Sequence, residues 1–67
     1  MNRTSQQILA STLRRTEYRG CRGQSSSHDA GTHSIQIFAD ATAENRKRFP
    51  WAPLNAQGTL IVADFNL

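Results

Sequence analysis

Sixty-seven residues make one small domain, and a chain this short buries only about 60% of the surface its unfolded form exposes. With 37% hydrophobic residues and one cysteine, Cys21, the core must be small and no intrachain disulfide can staple it, which leaves a metal, self-association or a protein partner as sources of added stability. No apolar run approaches the ~18 residues of a membrane span and the first residues lack the order of a signal peptide, so a soluble cytoplasmic protein without membrane contact is expected.

The first element in chain order starts at Thr4. Thr4 with Gln7 three residues later fits a reciprocal helix cap ahead of Ile8 and Leu9. At 100° per residue, Ile8, Leu9, Thr12, Leu13 and Thr16 share one face while Arg3 and Arg14 lie opposite, which predicts an amphipathic helix ending near Arg15. Thr16 to Cys21 alternate as a short strand would, and Gly20 and Gly23 argue against a continuing helix. Residues 22–34 contain nothing large and apolar and predict a flexible loop. Ile35, Ile37 and Ala39 then alternate with Gln36, Phe38 and Asp40 as a strand. Asp40 or Thr42 can cap a short helix through Ala43 to Arg48, stopped by Pro50. Phe49, Trp51 and Leu54 give the next loop its apolar content, and Thr59 to Phe65, introduced by Gly58, form the last strand.

These elements predict a single small α+β domain over residues 1–67: an N-terminal amphipathic helix packed on a two- or three-stranded antiparallel sheet, with a short helix before the last strand. The expected core is Ile8, Leu9, Leu13, Ile35, Ile37, Leu60 and Val62, with Trp51 and Phe65 as lids.

The net charge of +3 is unevenly spread. Residues 1–23 hold five arginines against Glu17, whereas the remainder holds three cations against four acids. Arginine suits phosphates, carboxylates and aromatic faces, so this clustering points to a binding surface. The candidate binding residues are Arg14, Arg15, Arg19 and Arg22, together with Arg46, Lys47, Arg48 and the neighbouring Trp51. Cations beside aromatic residues are used on single-stranded nucleic acid, but they also complement a helix C-terminus next to a hydrophobic anchor. Lys47 to Pro53 additionally fits a basic residue followed by two prolines three apart.

Other constellations are weaker. Gly20 to Gly23 make a GxxG tetrapeptide that could present amides to a phosphate, yet no second helix follows it, so it reads as a glycine turn. Cys21, His28, Asp29 and His33 are metal-ligand types whose spacing matches no familiar zinc pattern, and they read as loop residues. Ser27, His28 and Asp29 are adjacent, which prevents the geometry of a nucleophile, base and orienter. No cofactor is therefore expected and the chain reads as non-enzymatic. The leading expectation is a small protein-interaction domain, an inhibitor or accessory subunit of a larger machine, with phage or mobile-element proteins as the base-rate source of such chains. The alternative is a basic module that places the same arginines on nucleic-acid phosphates. Self-association fits either reading.

Overall fold

Thr4 opens the first element through its side chain. In the computed structural model, which describes residues 4–28 and 32–66, Thr4 Oγ1 accepts from the Gln7 amide at 3.1 Å and Gln7 Oε1 accepts from the Thr4 amide at 2.8 Å. This reciprocal cap starts helix α1, Ser5–Leu13. The helix ends two residues before the expected Arg15, because Arg15 is already extended at ψ 141°. The alternating stretch that follows is not a strand: Thr16–Tyr18 is one 3-10 turn, with the half-buried Tyr18 touching the core.

Three strands form one antiparallel sheet in the order β1, β2, β3: β1 is Arg22–His28, β2 is Thr32–Asp40 and β3 is Thr59–Asn66. The expected flexible loop over residues 22–34 is thus mostly strand. Arg22 pairs with Phe38 and the ladder continues unbroken to His28 opposite Thr32. Pairing with β2 supplies the strand's stability, since its side chains offer almost no apolar area. Between β2 and β3 the register shifts: Ile37 pairs with Ala63 but Phe38 pairs with Ile61. Val62 is therefore an extra residue, and both Val62 and Ala63 touch the core, as expected where a bulge re-aims a strand.

The short helix α2, Ala43–Arg48, has Thr42 as its cap, with Oγ1 accepting from the Asn45 amide. Asn45 Nδ2 donates to the Asp40 carbonyl at 2.9 Å and so ties α2 to the end of β2.

The buried core is Ile35, Ile37, Ala39, Phe49, Leu60 and Val62. Four of these match the sequence expectation. Ile8, Leu9 and Leu13 are only half-buried, and neither expected lid is buried, with Trp51 64% and Phe65 37% exposed. Phe49 and Ala39 complete the core in their place. α1 lies across the face that carries Ile37, and it comes so close at Gly23 that an added Cβ would sit 2.6 Å from Leu9 Cδ1 and 2.9 Å from the Gln36 carbonyl oxygen. Gly23 is thus a strand residue that admits the helix, and not part of a phosphate-binding turn.

Gly23→Ala should lift α1 from the sheet and lower stability by about 1–3 kcal/mol, as overpacking does. Urea unfolding followed by circular dichroism measures this; an unchanged midpoint would show that α1 does not depend on the contact.

Candidate functional site

The eight candidate binding residues divide into groups with different surroundings. Arg15 pairs with Glu17 through two hydrogen bonds of 3.0 and 2.8 Å and lies 5.7 Å from the Tyr18 ring centre. Arg22 donates to Asp40 at 2.9 Å, on the sheet face that α1 leaves uncovered. Both ion pairs are well exposed and contribute little to stability, so either arginine can exchange its partner at small cost. Arg14, Arg19, Arg46 and Lys47 are exposed and have no ion-pair partner among the described residues.

Arg48 is occupied by the fold. Its Nη1 donates to Asn45 Oδ1 at 3.0 Å and its Nη2 to the Arg19 carbonyl at 2.9 Å, while the guanidinium lies 4.7 Å from the Phe49 ring centre. This side chain brings the C-terminal end of α2 against the segment carrying Arg15 and Arg19. The two basic stretches of the sequence are neighbours through that contact.

Phe49 sits beneath Arg48 and meets Trp51 edge to face, with ring centres 5.5 Å apart. Trp51 is also fixed by its indole N–H, which donates to the Val62 carbonyl at 3.1 Å. The rest of its ring is in solvent. Arg46, Phe49, Pro50, Ala52, Leu54 and Leu60 line an open cleft of about 320 Å³ beside it. Leu54, which lines this cleft with Arg46, is 55% exposed; Trp51 is not itself a lining residue, although its chain neighbours Pro50 and Ala52 and its ring partner Phe49 are. Of the Lys47–Pro53 stretch, Pro50 and Pro53 are exposed; the Pro53 carbonyl accepts from the Ile61 amide and Leu54 bridges to Leu60, so the end of the segment is held as a short addition to β3.

A second, more polar cleft of about 390 Å³ lies on the uncovered sheet face, lined by Arg22, Gln24, Phe38, Asn55, Gln57 and Thr59. Beside it Gln24 donates to Gln36, which donates to Asp64, in a hydrogen-bonded row across all three strands. Sequence reading missed this face because it depends on β1, a strand that has no apolar alternation to announce it.

Of the loop residues grouped as metal-ligand types, Cys21 and His33 stand far apart. Cys21 precedes β1 while His33 pairs with Ser27 near the other end of the ladder, about 20 Å away at strand spacing. Asp29 lies outside the described residues, which contain no cluster of three histidines, cysteines or acids. Cys21 is half-buried against the core, where burial pushes its thiol up from the ordinary value and the nearby Arg48 charge opposes that shift. Among the described residues no helix is long and apolar enough to cross a membrane. No protein-family model, curated protein or solved structure matches the chain.

Arg48→Met keeps an apolar stem over Phe49 but removes the charge and its hydrogen bonds. It should cost about 2 kcal/mol, in the range for bonds from a charged donor. The Cys21 thiol should then titrate at higher pH, because the opposing charge is gone; the pH midpoint of alkylation by iodoacetamide reports this directly.

Proposed function

We propose that this chain is a small non-enzymatic interaction domain, an inhibitor or accessory subunit acting in the cytoplasm, that binds a protein with an apolar anchor and an acidic surround. The observation that carries this reading is Trp51, held in place by its N–H bond and by Phe49 yet 64% exposed beside a cleft lined by Leu54 and rimmed by Arg46. A fixed aromatic ring loses little freedom on binding, and Trp and Arg are the residues most enriched among interface hot spots. Arg14, Arg19, Arg46 and Lys47 would act mainly by steering an acidic partner and by rejecting basic ones. Binding would also stabilise a domain whose own core is small.

Selection from a random peptide library on the immobilised chain should enrich sequences that combine acidic residues with an aromatic or aliphatic anchor. Trp51→Ala should stay folded, because most of the ring is in solvent, and should weaken those peptides by about 30-fold or more, the loss expected at a hot spot. Titration of the same protein with labelled random single-stranded DNA and RNA at low salt should show no binding. Tight nucleic-acid binding that falls steeply with salt would replace this reading with the phosphate-binding one.

A further inference from the structure

The two edges of the sheet are treated differently by the chain. Along β3 the outer edge is closed for several residues: the Asn55 amide donates to the Thr59 carbonyl, the Ile61 amide to the Pro53 carbonyl, and the Trp51 indole to the Val62 carbonyl. The bulge at Val62 interrupts what remains. β1 has none of these devices. Its register with β2 is unbroken over seven residues, it contains no proline or lysine, and among the described residues no backbone hydrogen bond reaches its outer edge. An open, regular edge is a template for another strand.

The surface beside that edge is also depleted of charge. α1, which packs over β1, has the sequence Ser-Gln-Gln-Ile-Leu-Ala-Ser-Thr-Leu, without one ionisable side chain, and among the described residues the ion pair of β1 is Arg22 with Asp40 at the strand's start. Charge depletion is the compositional mark of an interface core.

We propose that β1 pairs antiparallel with β1 of a second copy of this chain, about a twofold axis at Ser25, to give a continuous six-stranded sheet. Antiparallel pairing of a strand with itself is closed by a twofold axis, so the assembly stops at a dimer. Gln24 then faces Ser26 of the partner copy and Gly23 faces Ser27, with Arg22 opposite His28 at the two ends of the contact. Both copies of α1 lie on the same face and adjoin across the axis. β3 and its Trp51 cleft stay at the two outer edges, so the dimer presents two clefts and gains from avidity on a divalent target. The dimer does not use Trp51, and its test is independent of the partner reading.

Sedimentation equilibrium of the whole chain at micromolar concentrations should give twice the 7.5 kDa monomer mass. Gln24→Lys combined with Ser26→Lys sets like charges directly opposite each other only in the dimer and should return the monomer mass. Gln24→Lys with Ser26→Glu sets opposite charges there and should restore the dimer. A monomeric wild type, or a double-lysine variant that is folded and still dimeric, overturns the proposal. If the double-lysine variant does not fold, amide exchange of the wild type decides: β1 protection that rises with protein concentration supports the pairing, and protection independent of concentration overturns it.

Discussion

Phe49 is the contact on which this molecule is built. It is the one aromatic ring in a core otherwise made of aliphatic side chains and Ala39, and it enters that core from the residue that ends α2. With Ile37 fully enclosed and Leu60 and Val62 beside it, Phe49 holds the connection between β2 and β3 against the sheet. Arg48 covers its face and Trp51 meets it edge to face, so burial of one ring fixes two neighbours that remain at the surface. A six-residue helix has too few turns to be stable alone, and α2 persists because its last residue is anchored and its first turn is capped by Thr42. The exposed cleft is in this sense a by-product of core packing.

Arg48 shows why charge counting in the sequence overstates a binding surface. Eight cations in a short chain suggest a basic edge, but this one spends its hydrogen bonds on the Arg19 carbonyl and Asn45. The interaction joins segments 29 residues apart, and it lowers the thiolate cost at Cys21 that burial raises. Arg22 lies on the sheet face opposite α1, whereas Arg14, Arg15 and Arg19 stand in the segment that follows that helix. The cations left for a partner are fewer than composition suggests, and Arg46 is the one that lines the cleft with Leu54.

What could be read in the sequence was whatever depends on neighbours along the chain. Thr4 with Gln7 and Thr42 before Ala43 are local capping signals, and both hold. The alternation of Ile35, Ile37 and Ala39 is equally local, and these three are the most buried residues of β2. The α+β order with a helix before the last strand follows from those pieces. β1 was hidden because Gly-Gln-Ser-Ser-Ser is a loop composition, and it becomes a strand only through the backbone of β2. Gly23 looked like a turn residue for the same reason, although its small size serves the approach of Leu9 from a helix 14 residues earlier. Phe49, between Arg48 and Pro50, had no periodic partners to mark it as core. At the candidate site the residue types were legible, but their division into structural and available groups was not, since tertiary contacts decide it.

The sheet's two edges complete the same logic. A three-stranded sheet with one helix layer leaves two rows of backbone groups and one whole face without cover, and each must be satisfied by water, by the chain or by another molecule. This chain spends residues 51–55 on the β3 edge, and the Trp51 indole that caps Val62 there is the same ring that stands out beside the cleft. Closing that edge and presenting the anchor are therefore one structural act. Among the described residues no comparable segment is spent on β1, even though serine and glutamine make it the strand least able to hold itself by side-chain packing. A strand so weakly anchored by its own side chains gains most from a second set of backbone hydrogen bonds, and an uncharged helix beside it removes the electrostatic obstacle to a copy of the chain supplying them.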